Sequence, residues 1–243
     1  MNDDLTDIWV YLAATPLTGL TVTLGAYVLA RWLFRRSGHF PLLNPVLIAI
    51  VTLVGLLSLT GVDFDAYFEG AQFVHFLLGP ATVALAVPLY RQFQSVRRSA
   101  LSLGVALVAG SLTAVCTAML IGWGMGASRE VLVSIAPKSV TTPIAMGIAE
   151  LTGGLPSLTA VLVILTGILG ASVGTWVLRL VGVSDPRATG FALGVASHGI
   201  GTARALELGE LQGAFAGLAM GLNGLLTAVA LPLILAWLGM SHA

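Results

Sequence analysis

Charge is what this sequence has least of. Only 9% of its 243 residues are Asp, Glu, Lys or Arg and 57% are hydrophobic, against about 25% charged in soluble domains. A soluble fold needs a charged surface, and these charges are too few to cover one. The alternative of a very apolar soluble core fails on run length: residues 100–128 and 211–240 carry no charge at all, and each exceeds the roughly 20 apolar residues of a bilayer span. There is one cysteine, Cys116, so no internal disulfide can form and the redox compartment is not indicated. Net charge is zero and no basic cluster has aromatics interleaved, which argues against nucleic acid as a partner. The opening Met1-Asn2-Asp3-Asp4 lacks positive charge, so no cleaved leader is expected. No catalytic triad, metal-ligand spacing or phosphate loop is visible, so neither enzyme chemistry nor a metal or cofactor is expected.

What is present is a series of apolar segments, at 9–34, 42–62, 67–90, 99–127, 131–155, 157–182, 188–209 and 211–238. The first four and the last have the look of ordinary spans; the others carry charge or many glycines. The fold class is all-α, a polytopic transmembrane bundle with interrupted or re-entrant helices, read as one integral membrane domain over 1–243. Basic loops stay cytoplasmic. Arg31, Arg35 and Arg36 follow the first segment and Arg91, Arg97 and Arg98 the third, with Asp63, Asp65 and Glu69 between the second and third. The N-terminus, with Asp3, Asp4 and Asp7, is therefore expected outside and the fourth segment exits near Gly126. If 131–155 re-enters and returns, Arg179 and Arg187 fall in the cytoplasm; if it spans, both end outside. The arginine rule favours re-entry.

Asn44-Pro45-Val46-Leu47-Ile48-Ala49-Ile50 resembles Thr142-Pro143-Ile144-Ala145-Met146-Gly147-Ile148. On this orientation the two copies start on opposite sides, as in an inverted repeat, a plan common in transporters. Chance likeness between apolar strings is the alternative.

A charge at the bilayer centre costs about 2.5–3.5 kcal/mol on insertion scales, so Lys138, Glu150, Arg204 and Glu207 should face the bundle interior, a partner or water. In Pro137-Lys138-Ser139-Val140-Thr141-Thr142-Pro143 two prolines bracket a cation and three hydroxyls. Such prolines interrupt a helix, and open backbone at membrane depth survives only buried in protein or lining a cavity. Thr142 is placed to cap a helix starting at Pro143, whose N-terminus would direct positive dipole into the break and suit an anion. A surface loop with Lys138 at the headgroups is the plainer alternative. In the second cluster Gly199 and Gly201 permit unwinding, and Ser197, His198, Thr202 and Arg204 surround them. Arginine binds carboxylate in a fork; an internal pair with Glu207, three residues on, is the competing use. Asn44 and Asn223 read first as packing amides, His75, Gly79 and Pro80 as a break or kink in the third segment, and Glu150 as either a proton-coupling group or a partner of Lys138.

These strings carry a resemblance. Pro137-Lys138-Ser139-Val140-Thr141-Thr142-Pro143-Ile144-Ala145, Gly153-Gly154-Leu155-Pro156 and Ser197-His198-Gly199-Ile200-Gly201-Thr202-Ala203-Arg204-Ala205-Leu206-Glu207, with Leu78-Gly79-Pro80-Ala81-Thr82-Val83-Ala84-Leu85 and Pro88-Leu89-Tyr90, resemble the LrgB/CidB family over roughly residues 15–240. That family is described as holin-like or antiholin-like, modulating murein hydrolases and lysis, and is similar to the C-terminal part of the plastid glycolate/glycerate translocator. Bacterial members are linked to pyruvate or acetate movement and paired with a small LrgA/CidA-type membrane protein. The resemblance implies a bacterial inner-membrane protein, and two functions stay open. One is secondary transport of small monocarboxylates (glycolate, glycerate or pyruvate), with a proton or sodium ion as the coupling ion. Its binding residues would be Lys138, Ser139, Thr141, Thr142, Ser197, His198, Thr202, Arg204 and Glu207, with Asn44, Gly79, Pro80, Glu150 and Asn223 as break or secondary lining. The other is an antiholin-like regulator of lysis. Lipid contact and homo-oligomerisation are expected in both.

Overall fold

The computed structural model describes residues 16–38, 40 and 43–240. The early part of segment 9–34, with Asp3, Asp4 and Asp7 and their expected external placement, lies outside the described residues. The described chain is helical: α1 Pro16–Arg36, α2 Pro45–Thr60, α3 Phe64–Phe76, α4 Leu78–Ala84, α5 Ala86–Arg91, α6 Phe93–Arg98, α7 Ala100–Gly124, α8 Arg129–Ile135, α9 Thr142–Thr152, α10 Pro156–Leu180, α11 Pro186–Leu208 and α12 Glu210–Trp237. Among the described residues five stretches are long and apolar enough to cross a membrane: 17–36, 64–91, 100–124, 156–180 and 210–237. Their outward faces carry Leu24, Leu101, Leu169, Trp176, Leu233 and Trp237, all exposed, as a lipid-facing surface requires. The helices group into two compact units, residues 1–84 and 85–243.

In the first unit α1 packs on α2 through Ala26, Ala30 and Ala49, and on α3 through Gly19, where a Cβ would come within 2.5 Å of the Tyr67 carbonyl oxygen. Asn44 caps α2: its Oδ1 accepts from the N–H of Val46 at 2.9 Å and of Leu47 at 3.4 Å. At 16 residues α2 is shorter than the segment expected at 42–62. The expected third span, 67–90, is not one helix. Its hydrogen-bond ladder lapses at Leu77 and again at Leu85, where the backbone stays in the right-handed helical region. The prolines explain both places, because Pro80 and Pro88 lack the N–H that would bond the carbonyls of Phe76 and Ala84, where α3 and α4 end.

In the second unit α7, α10 and α12 are full-length helices. The 157–182 segment, set apart in the sequence for its glycines, is the unbroken α10. The 131–155 segment doubles back. Ser134 near the end of α8 accepts the N–H of Leu155 on its Oγ at 2.7 Å and the Thr159 hydroxyl on its carbonyl at 3.1 Å. A chain continuing across the bilayer would have carried Leu155 some 30 Å away; here it has returned, which is the re-entrant geometry. α11 doubles back as well. Gly190 and Gly194 abut Gln212 and Ala216 of α12 in parallel register, whereas Leu206 abuts Gly213 in the reverse sense, and Gly201 lies against the Leu193 carbonyl. The helix is therefore two halves folded at Ser197 (φ −129, ψ 16) and His198 (φ 41, ψ −130).

The two hairpins enter from opposite ends of this unit. At one end the C-termini of α7 and α12 meet α8, through Gly122 against Leu132 and Arg129 Nε donating to Met240 O at 3.4 Å. At the other, Ser99 and Ser102 of α7 share a cavity wall with Asp185 and Arg187, Arg179 lies with Pro186 and Gln212, and Arg91 pairs with Glu210 at 3.3 Å.

Candidate functional site

The first hairpin turns through Ala136–Thr141. Lys138 N donates to Ile135 O at 3.1 Å and Val140 N to Pro137 O at 3.2 Å, two tight turns in succession. Ala136, Pro137 and Val140 are buried and anchor the turn. Lys138, the chain's one lysine, stays half-buried with Nζ 3.2 Å from Ser139 Oγ. The cap expected at Thr142 is corrected by one residue. Thr141 is the extended Ncap (φ −64, ψ 147), its side chain makes no cap hydrogen bond, and Thr142 already opens α9. A proline at the second helical position is tolerated because the first four N–H groups have no intrahelical acceptor in any case. Thr141 and Thr142 are half-buried, and the N-terminus of α9 faces the break without a side-chain cap.

The second tip differs from expectation too. Ser197 and His198 unwind, while Gly199 and Gly201 are helical. Gly201 serves close approach: a Cβ there would collide with the Leu193 carbonyl oxygen and lie 2.6 Å from Ser197 Cβ. His198 is the one non-glycine residue with positive φ among those described, in a region nearly reserved for glycine. Its ring is buried with Nε2 2.9 Å from Val163 O of α10. Thr202 is buried and donates to His198 O at 2.8 Å.

The tips meet. Asn223 of α12 donates through Nδ2 to Ser139 O of the first break at 3.3 Å and to Val195 O of the second hairpin at 3.1 Å. Val140 packs with Val163, whose carbonyl holds His198. Ser139, Ser197, His198, Thr202 and Asn223 are all buried, and Ser197 Oγ and Asn223 Oδ1 lack any hydrogen-bond partner. Buried polar atoms without partners are uncommon and call for an explanation such as a ligand.

The other expected site residues have settings of their own. Arg204 and Glu207 pair at 3.0 Å along the returning half of α11, their side chains 20% and 32% exposed. Glu150 is exposed on α9, and no ion pair joins it to Lys138 among the described residues. Asn44 is occupied as the cap of α2, and Gly79 and Pro80 are exposed in α4. Sequence reasoning passed over α10, which supplies the bed for the second tip. Gly167 lies under the His198 ring, Gly170 under Ser197 and Gly174 under Leu193. The spacing of these glycines, one helical face of small residues, was the available signal. At the mouth of the cavity beside α11, outside the spans, Arg187 hydrogen-bonds Asp185 at 2.6 Å and holds its carboxyl down at about 2.

Comparison with known proteins bears on the whole chain. The LrgB-like family model matches residues 23–237. Curated proteins named "Antiholin-like protein LrgB" from Bacillus cereus (strain B4264) and Bacillus anthracis (strain CDC 684 / NRRL 3495) are each 33% identical over 225 residues, covering 93% of this chain and 98% of the relative. No solved structure matches. A match across almost the full length, including both hairpins and the helices that bed them, means that this multi-pass membrane protein belongs to the LrgB-like family.

Proposed function

We propose that the protein is a secondary transporter of small monocarboxylates such as glycolate, glycerate or pyruvate. One observation carries the reading: two re-entrant hairpins enter from opposite ends and their tips are joined by the amide of Asn223. Broken helices bring their ends, with unpaired N–H and carbonyl groups, to the middle of the membrane, where a small ion can be held between gates on either side. The uncapped α9 terminus and Lys138 give this centre positive potential for an anion. Arg204 is a second candidate for the carboxylate, reached along the returning half of α11. Coupling would be to a proton or a sodium ion. With five arginines, Arg91, Arg97, Arg98, Arg179 and Arg187, at or next to one end of the second unit and Arg129 at the other, we place the arginine-rich end in the cytoplasm of a bacterial inner membrane; with α2 also crossing, the N-terminus is outside.

A second reading follows from the relatives' name, antiholin-like protein: a membrane regulator of lysis, acting alone, as a homo-oligomer or with a small LrgA/CidA-type partner. Purified protein in proteoliposomes separates the two. Uptake of labelled carboxylate by this chain alone supports transport. Sealed, inert vesicles, together with an altered lysis rate on expression, would support the regulator.

A further inference from the structure

Between α7 and the entering half of α11 lies a cavity of about 540 Å³. Its polar side chains, Ser99, Ser102, Asp185 and Arg187, gather at one end, and Ala, Gly, Leu, Val and Phe supply the rest of the lining. From Ser99 to Ala114 the α7 wall is about 22 Å long at 1.5 Å per residue, and half of a bilayer with its headgroups is about 20–22 Å. The cavity is thus one leaflet deep, polar where the α7 span begins and apolar below. Ala106, Gly110 and Ala114 of α7 and Ala188, Ala192 and Ala196 of α11 line it, small residues of the kind that ordinarily let transmembrane helices close on each other. The two walls approach at Gly110, where a Cβ would come 3.3 Å from Val195 Cγ1, yet the volume remains. Water below the mouth would lack the polar partners it needs, and a void forfeits the dispersion contacts of every atom around it. An acyl chain restores those contacts and leaves behind a phase as apolar as the groove.

The mouth sets the headgroup. Asp185 Oδ1 accepts from Arg187 N at 2.8 Å and from Nε at 3.1 Å, and Oδ2 accepts from Nη2 at 2.6 Å. The carboxylate is occupied, while the fork uses two of the five guanidinium N–H groups and leaves three for other acceptors. With the hydroxyls of Ser99 and Ser102 the mouth offers donors, and the exposed Arg97 and Arg98, directly before Ser99, add positive charge. A phosphate diester is the complement, an anion made of acceptors. We infer that this cavity is a binding site for one anionic glycerophospholipid of the leaflet at the arginine-rich end, with an acyl chain between α7 and α11 and the phosphate at Arg187, Ser99 and Ser102. Such a site serves a transporter and a lysis regulator alike.

Native mass spectrometry of the full chain in mild detergent, offered phosphatidylglycerol or phosphatidylcholine, reads the site. One phosphatidylglycerol should stay on each chain, bound about fivefold tighter than phosphatidylcholine, the gain expected for one added negative charge beside an exposed arginine. Ala192→Leu, alone and with Ala106→Leu, puts carbon where the chain lies and should weaken retention by about tenfold or more through lost contacts. Ala109→Leu, at an exposed position of α7 outside the cavity lining, should leave retention unchanged. An unmodified chain that holds no phospholipid, equal retention by folded cavity-filled variants, or equal affinity for the two headgroups overturns the inference. A lipid-free dimer that dissociates in Ala192→Leu gives the cavity to a second copy and also overturns it. Ala192→Cys in a Cys116→Ser background adds no bulk, so it probes the cavity even where the leucine variants do not fold. In phosphatidylglycerol vesicles this cysteine should resist a charged, membrane-impermeant thiol reagent; reaction as fast as that of a cysteine at exposed position 97 makes the cavity aqueous and overturns the lipid site.

Discussion

Gly170→Ala tests whether the second hairpin tip is seated on α10. A Cβ at Gly170 overlaps Ser197 Oγ and stands 2.9 Å from Ser197 Cβ. The hydroxyl can swing aside, since it holds no hydrogen bond. The Cβ cannot; it is one bond from a backbone already bent out of the helix, so it yields only if the tip lifts. Overpacking of this kind costs about 1–3 kcal/mol, set against the roughly 0.8–1 kcal/mol that alanine gains over glycine in a helix. The net expectation is a loss of about 0–2 kcal/mol. Gly147→Ala in α9 isolates the helix term, because a Cβ there meets nothing within 4 Å. The two variants should therefore differ by about 1–3 kcal/mol. Ser197→Ala in the Gly170→Ala background removes the overlapping oxygen and should recover part of the loss, leaving the contact between the two Cβ atoms. Denaturant unfolding in detergent, followed by tryptophan fluorescence, gives all four values of the cycle. If Gly170→Ala matches Gly147→Ala and shows no coupling to Ser197→Ala, the tip does not rest on α10 and the account of the second hairpin is wrong.

Three further expectations follow from the same geometry. Cysteines placed at Arg97 and Arg187 in a Cys116→Ser background should label from one side of the membrane and a cysteine at Arg129 from the other; opposite labelling of 97 and 187 contradicts re-entry of 131–155. His198→Gly relieves backbone strain of about 1–3 kcal/mol but loses the bond to Val163 O, so the folded protein should be near its original stability while transport falls; full transport by this variant would show that the ring is dispensable. Arg204→Lys keeps the charge and loses the fork, so carboxylate uptake should weaken with the fold intact, whereas a folded Arg204→Leu/Glu207→Leu double variant that still transports would leave the pair as scaffold.

Much of the architecture was readable from residues in order. Scarcity of charge and the uncharged runs 100–128 and 211–240 dictated a membrane bundle, because lipid imposes length and apolarity on each helix separately. The prolines at 137 and 143 marked the first break, since a missing N–H acts on its own helix wherever that helix lies. For 131–155 the positions of Arg179 and Arg187 favour re-entry, and the segment does double back, with Leu155 N–H on Ser134 Oγ. What the sequence could not carry were relations between distant segments. That Ser197 and His198 unwind while Gly199 and Gly201 stay helical was settled by the neighbours: glycines 167 and 170 leave room for the two side chains, and Val163 O holds the ring. Nothing in the composition around Asn44 and Asn223 separates the two amides. Asn44 found its partners two and three residues ahead and became a cap. Asn223 found them in the two hairpins, 84 and 28 residues back along the chain. A cap is local and can be read from neighbours in sequence; a crossing exists only once two folded hairpins bring their carbonyls to the same amide.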